Sequence, residues 1–358
     1  MTTTAKSIAA LFAAAWLVAT GAPGAVAQSI PGQSGQGQSP EEKQLYEAAK
    51  KEGQLTWYSG VMDQALCEKV GQAFTAKYPG IQVDVTKTTS QVAFQRLLQD
   101  LKSGQVQSDV FTSTDASHFV YLKEKGALVK YVPANAKQVG EAFQDIDPEG
   151  FYYVTWASLA SIIYNTDKVK AADVPKNWPD LLDPKWQNQV AVGNPSYSGM
   201  VGVWTLALAK LYGWEFFTKL NAQKPQVGRS IDDAVTLLNS GERMVALGSA
   251  STALRNAAKG NPIGVVYPSD GAVAVVAPSA IIKGAKSQNA AKLFMEFMLS
   301  ADYSKLVAAN FEQSLRPDVP PAPGAKPLAE VKVISPPVDE ITEKMPGTKE
   351  KWKETFGM

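Results

Sequence analysis

The chain has 358 residues, with 35 Lys and Arg against 34 Asp and Glu, one Cys and one His. A balanced charge without basic runs argues against a nucleic-acid partner. A single cysteine excludes an intramolecular disulfide, and one His beside one Cys leaves no zinc-ligand spacing.

The first residues read as an export address. Lys6 supplies a positive start, an apolar run covers Ile8 to Val18, and Ala25-Val26-Ala27 is an A-x-A-type cleavage site, so residues 1–27 are expected to be a signal peptide. The run is too short to span a bilayer, although a retained anchor is the alternative. No cysteine lies at the cleavage site, where a lipid-anchored exported protein needs one, so the mature chain is expected to diffuse freely in a Gram-negative periplasm. Residues 28–43 begin with Gln, Gly, Ser and Pro and read as a flexible leader. The roughly 300 residues that remain can build two lobes with separate cores. No later stretch reaches 18 apolar residues, so no membrane insertion is expected.

Strand–helix units follow. Gln54 to Tyr58 reads as a strand ending at Ser59-Gly60, and Leu66, Val70, Ala73 and Phe74 recur at helical spacing. Ile81 to Val85 alternates as a strand. Phe94, Leu97, Leu98 and Leu101 share a helix face with Gly104 just past its end. Asp109 to Thr112 is a third strand and Ala116 to Gly126 a further helix. This alternation implies an α/β fold with a parallel sheet. Ligands bind outside the carboxyl ends of such strands. Here those ends are Ser59, Gly60, Val61 and Met62, and Ser113, Thr114 and Asp115, one wall of an expected cleft.

In the second half, Thr155 to Tyr164 is a strand and Pro175 to Trp186 a Pro- and Trp-punctuated connection. A strand at Gln189 to Gly193 leads through Asn194 to Ser198 into a helix ending near Leu211. Ile231 to Asn239 and Ser251 to Ala258 read as helices, and Met244 to Leu247 and Ile263 to Tyr267 as strands. Pro268 to Gly271 is a turn and Ala272 to Ile282 is extended. Asn289 to Leu299 and Tyr303 to Asn310 are amphipathic helices. The Pro-rich tail from Pro317 is expected to wrap the surface.

Seven segments in this order carry a resemblance: LTWYSG at Leu55, SDVFTSTDA at Ser108, LKEKGAL at Leu122, SIIYNTDKV at Ser161, WPDLLDPKWQNQVAVGNPSYSG at Trp178, LNSGERMVAL at Leu238 and PSAIIKGAKSQNAAKLFMEFMLS at Pro278. The chain resembles the bacterial extracellular solute-binding proteins of the ferric-iron, phosphonate and sugar-phosphate type. The resemblance implies a two-lobed type II periplasmic-binding-protein fold with two hinge crossings, near Tyr153-Val154 and Val273 to Val276. Residues 44–152 and 277–358 would form lobe 1 with the tail, and residues 153–276 lobe 2. It further implies a monomer that closes on a small-molecule ligand and delivers it to the permease of an ABC importer, without a cofactor. A sensory partner of a chemoreceptor or kinase is the alternative that this fold supports equally.

Iron-binding members place consecutive tyrosines, a histidine and an acid where this chain has Ser251-Thr252, Met62 and Thr114. Ferric iron prefers phenolate, carboxylate or imidazole, so iron is the alternative ligand, through a different tyrosine set of Tyr58, Tyr197 and Tyr267. An anionic organic solute or oxyanion, namely a phosphonate, phosphate ester or carboxylate, suits the remaining residues better. Ser196, Tyr197, Ser198 and Gly199 lie where a strand turns into a helix, a ready anion site that also reads as a simple cap. The resemblance carries anion contact to Ser198 and Gly199. Arg229 could grip the anion bidentately or stand in solvent. Ser249 and Ser251 follow a strand and should face the same cleft, and Arg255 lies one turn further. Trp156, Tyr197 and Tyr267 could supply walls or core. Asp115 and Asp270, in predicted cleft loops, could meet a ligand amine or bond their own backbone.

A secreted hydrolase is the contrasting class. His118 would have to be its base, but no G-x-S-x-G elbow exists and His118 reads as an exposed helix-start residue. Cys67 lies on the buried side of its helix and reads as packing. Turnover is not expected.

Overall fold

The computed structural model describes residues 39–358. The signal-peptide reading of residues 1–27 and the leader up to residue 38 lie outside the described residues. From Ser39 onward the leader expectation gives way to a helix. Ser39 Oγ accepts the Glu42 amide at 3.1 Å, Pro40 occupies the first turn, and Glu41 and Glu42 complement the helix dipole, so α1 spans Pro40–Glu52.

Three strands and their helices come next: β1 (Gln54–Ser59), α2 (Gln64–Lys77), β2 (Gln82–Lys87), α3 (Ser90–Ser103), β3 (Val110–Thr112) and α4 (Ser117–Glu124). Strand β1 runs parallel to both β2 and β3, which brings all three carboxyl ends to one edge. On α2, Leu66, Cys67, Val70 and Phe74 are buried. Gly104 closes α3 in the left-handed region at φ 69°, as its position past the last apolar residue predicted.

The chain then leaves along β4 (Tyr152–Asn165) and builds β5 (Val190–Val192), α5 (Gly199–Tyr212), α6 (Glu215–Ala222), β6 (Gln226–Val227), α7 (Ile231–Asn239), β7 (Val245–Ser249), α8 (Ala250–Ala258) and β8 (Ile263–Val266). It returns along β9 (Ala272–Ile281) into α9 (Gln288–Met298) and α10 (Ala301–Ala309), and ends with β10 (Val333–Ile334) and α11 (Val338–Phe356).

The hydrogen-bonded order is β2-β1-β3-β9-β4-β7-β5-β6, with β10 on β9 and β8 on β4. Within β2-β1-β3 and within β7-β5-β6 all neighbours are parallel, as expected. Between the triplets the pairing is antiparallel, β9 to β3, and β4 to both β9 and β7. The physical reason is the path of the chain: it enters the second triplet on β4 and comes back on β9, so the two must oppose each other. A bulge between Val154 and Trp156 breaks their register, and such a bulge re-aims the side chain beside it.

The tail does not simply wrap the surface. Residues 338–356 form the long helix α11, whose Ile341, Met345, Thr348 and Trp352 repeat at helical spacing on its buried side. The helix packs mainly on α5 and also touches α6 and, from the first triplet, α4. The Trp352 ring lies 6.4 Å from Trp204 and 5.7 Å from Phe217, and Trp214 Nε1 donates to Thr355 Oγ1 at 2.7 Å. Gly202 permits the approach, since a Cβ there would meet Met345 Sδ at 2.6 Å. Trp352 is fully buried. Trp352→Ala should therefore lower unfolding stability by about 3–5 kcal/mol. Urea unfolding followed by circular dichroism measures this, and a loss under about 1 kcal/mol would show that the helix is not part of the folded core.

Candidate functional site

A cavity opens where the carboxyl ends of β1, β2 and β3 face the amino ends of helices from the second triplet. Gly60, Val61 and Met62 follow β1, Lys87, Thr89 and Ser90 follow β2, and Thr114 follows β3. Opposite them stand Ser198 and Met200 at the start of α5, Ser230, Ile231 and Asp232 at the start of α7, and Ser249 and Thr252 at the start of α8. Trp156 and Glu312 complete the lining. The free volume is about 50 Å³, room for a few water molecules.

Four helix starts reach this one space. Ser198 Oγ accepts from Val201 N at 3.4 Å, Ser230 Oγ from Asp232 N at 3.2 Å, and Ser249 Oγ from Thr252 N at 3.4 Å. Thr89, at the start of α3, makes no such bond. Each start carries uncommitted amide hydrogens and the positive end of a helix dipole, a setting that favours an anion. Hydroxyls surround them: Ser90 and Thr114 share a hydrogen bond of 2.8 Å, and Ser158, Ser249 and Ser251 bond one another at 2.8–3.2 Å. Among the described residues, three buried side-chain atoms of the lining have no hydrogen-bond partner: Trp156 Nε1, Thr89 Oγ1 and Glu312 Oε2. Buried polar atoms are nearly always bonded, so these three are the places where a ligand would complete the site.

Charge enters from both sides. Lys87 and Asp232 line the cavity. Arg255 of α8 donates from Nη1 to Glu312 at 2.6 Å, and its Nε lies 3.2 Å from Asp63. Burial pushes the Glu312 carboxyl up while Arg255 pulls it down, the net direction being upward.

The sequence-predicted residues divide. Gly60, Thr114, Trp156, Ser198 and Ser249 line the cavity. A Cβ on Gly60 would meet Ser90 Oγ at 2.5 Å, and one on Gly199 would meet Thr114 Oγ1 at 2.6 Å, so both glycines permit close approach just outside the lining or within it. Ser59 and Ser113 are fully buried behind the wall, bonded to Cys67 Sγ and Val61 O, and to His118 Nδ1, respectively. Ser251 lies in the hydroxyl cluster under Ser249. The Ser196 hydroxyl is buried without a partner and away from the lining. Arg229 is exposed, its guanidinium 5.3 Å from the ring centre of half-exposed Tyr197, and neither lines the cavity. The Tyr267 ring sits under Lys326 at 5.4 Å, also outside.

The tyrosine set weighed for iron does not assemble at the cavity, since none of Tyr58, Tyr197 and Tyr267 lines it and the Tyr58 hydroxyl donates to Asp100 at 3.0 Å. Among the described residues, no group of three or more His, Cys, Asp or Glu is arranged to hold a metal. Neither aspartate weighed for an amine lines the cavity. Asp270 accepts from Trp178 N at 2.9 Å and from the Tyr212 hydroxyl. Asp115 is buried against Lys349 Nζ at 3.1 Å.

Sequence reasoning missed Lys87, Thr89, Ser90, Ser230, Asp232 and Glu312. Thr88-Thr89-Ser90 after β2 is the same strand-to-helix hydroxyl signal that pointed to Ser198 and Ser249. Glu312 has no local signal, because it reaches the cavity from the turn after α10.

His118 departs from its expectation as an exposed residue. It is 4% exposed and stacks on Phe94 at 3.8 Å, with Ser113 on Nδ1 at 2.8 Å and Gln91 Oε1 at 3.0 Å from Nε2. Ser113, His118 and Asp115 stand together, but all are sealed behind the wall, where no substrate reaches them. Cys67 packs as expected, its thiol pushed up to about 12 by burial.

Two parallel triplets joined by two long antiparallel crossing strands, with a small cavity ringed by helix starts between them, define the type II periplasmic-binding fold. The sequence profile of the bacterial extracellular solute-binding proteins matches residues 107–336, and the chain belongs to that family. Its relatives are periplasmic substrate-binding proteins of ABC transporters rather than enzymes. A Salmonella typhimurium protein named "Putative 2-aminoethylphosphonate-binding periplasmic protein" is 24% identical over 282 residues, 76% of this chain and 77% of its own. The Sinorhizobium fredii "Probable ABC transporter periplasmic-binding protein y4fP" is 24% identical over 66% of this chain and 68% of its own. Among solved structures, the periplasmic binding protein AfuA from Actinobacillus pleuropneumoniae, with fructose-6-phosphate bound, has a TM-score of 0.77 and 22% identity, covering 86% of this chain and 99% of AfuA. Membership implies a small-molecule ligand and a permease partner.

Burial lowers the His118 pKa to about 4, against the pull of Asp115. The unfolded chain takes up this proton near the usual 6.5. Between those values the unfolded form binds more protons, so stability falls as pH drops from 6.5 to 4. In a thermal-melt series over that window, His118→Gln should flatten the fall relative to wild type. Parallel curves would mean that His118 is not held neutral by burial.

Proposed function

We propose that this protein captures a small anionic organic solute or oxyanion, such as a phosphonate, phosphate ester or carboxylate, and hands it to an ABC importer. The observation that carries this reading is the meeting of four helix starts around a cavity in which Trp156 Nε1, a buried donor, has no protein partner. Helix dipoles, free amides and an indole N–H all stabilise negative charge, and none of them coordinates a metal. A ferric ion would find only Asp232 and Glu312 as carboxylates in the lining, with no phenolate.

In this reading the ligand sits between two lobes that swing about β4 and β9. Residues 44–152 with those after 277 form one lobe and residues 153–276 the other, except that α11 rides with the second through its packing on α5 and α6. Contacts across the cleft mark a closed arrangement. Gln91 N donates to Tyr197 O at 3.3 Å, Thr114 abuts Gly199, Arg255 pairs with Glu312, and Lys349 pairs with Asp115. Ligand binding would shift the open–closed equilibrium toward this form, which the permease would recognise.

The test is thermal shift and calorimetry on protein freed of co-purified solute, against phosphonates, phosphate esters, carboxylates, sugars and ferric iron. At least one anion should stabilise the fold, and Trp156→Phe should weaken its binding by about ten-fold or more. Stabilisation by ferric iron alone, with charge-transfer colour, would overturn the ligand class.

A further inference from the structure

Helix starts account for an anion but leave Glu312 unexplained. Its backbone follows Phe311, which adopts the left-handed φ of 67°, and the Glu312 amide donates back to Val307 O at 3.0 Å. This turn carries the side chain inward until it is 1% exposed. Arg255 Nη1 binds Oε1 at 2.6 Å, while the second oxygen, Oε2, makes no hydrogen bond among the described residues, the Ser251 hydroxyl standing near enough to favour the charged carboxyl, and Glu312 borders the cavity. Arg255 cannot serve both oxygens, because it is also shared with Asn310 O at 2.9 Å and Thr252 Oγ1 at 3.1 Å, and lies against Asp63. A buried carboxylate oxygen without a donor is costly, and the donor it lacks is one that a ligand can bring.

Local charge points the same way. Around this part of the cavity Lys87 and Arg255 stand against Asp63, Asp232 and Glu312, two positive groups against three negative. A purely anionic solute would meet an excess of its own sign there. A solute with a positive donor as well as an anionic group would not.

We propose that Glu312 is the specificity-determining residue of this site and that it selects a zwitterion, receiving a ligand ammonium on Oε2 while the helix starts and Trp156 receive the anionic group. This rests on the anion reading above. It adds the second charge of the ligand and the residue that demands it.

Calorimetry with three matched probes separates the two: 2-aminoethylphosphonate, 2-hydroxyethylphosphonate and ethylphosphonate, each on wild type and on Glu312→Gln. Wild type should bind the amino probe at least ten-fold more tightly than the hydroxy probe, and ethylphosphonate most weakly. In Glu312→Gln the amino preference should shrink to about three-fold or less, with ethylphosphonate bound more tightly than by wild type because one opposing negative charge is gone. Equal binding of amino and ethyl probes by wild type, or a preference that survives in the variant, overturns the role of Glu312 and leaves the anion site standing. Equal binding of amino and hydroxy probes overturns the ammonium in the same way. If no probe binds while a phosphate ester or carboxylate of the wider panel does, the zwitterion reading falls and the anion site stands; if none of these binds, both fall. The wild-type comparison alone decides the matter should the variant prove unstable.

Discussion

The pairing of β4 with β9 is the constraint on which the rest of the molecule depends. The two strands run antiparallel from Tyr152 opposite Ala280 to Ala160 opposite Val273, and each also continues into one of the parallel triplets. Because the triplets are joined only through this pair at the sheet level, their carboxyl edges are brought to face each other. Loops after β1, β2 and β3 then meet the amino ends of α5, α7 and α8. The bulge at Val154/Trp156 falls within this same pair, so the strand that joins the halves also sets the indole at the cavity. Main-chain hydrogen bonding thus determines where the polar side chains converge, and the side chains determine what can sit there.

What can sit there follows from burial. Hydroxyls of Ser158, Ser249 and Ser251 satisfy one another, and Ser90 is shared between Thr114 and the Gly60 carbonyl. Those groups are content without a ligand and serve to hold the helix starts in place. Trp156 Nε1, Thr89 Oγ1 and Glu312 Oε2 have no such partner among the described residues, and unlike the unpartnered atoms of Trp186 and Gln223 they belong to residues that border the cavity. The neutral, stacked His118 and the buried Asp115 behind the wall illustrate the opposite case, an ionisable pair fully absorbed into structure.

Much of this was legible in the sequence because the local grammar is strict. A strand running into Ser-rich residues and then a helix pointed to Ser198 and Ser249, and Gly104 announced its own cap. Thr89 and Ser90 obey the same grammar, but reading β2 as ending at Val85 rather than Lys87 detached them from their strand. Arg229 drew attention because arginine is a familiar anion ligand, while its neighbour Ser230 is the residue at the cavity. Backbone direction settles that choice, and one residue of offset on an extended segment reverses the side chain. Glu312 was out of reach, since its placement depends on a left-handed turn at Phe311 and a partner, Arg255, far away in the chain. The apolar spacing of α11 was present in the sequence, but the prolines before it suggested irregular chain.

The last turn of α11 has a practical bearing. After Gly357, Met358 brings its sulfur to 3.8 Å from Asn194 Nδ2, in the loop that leads into α5. The carboxyl terminus is therefore neighbour to a binding loop. Charged groups appended after residue 358 would stand close to the loop that leads to Ser198 and add their own field there.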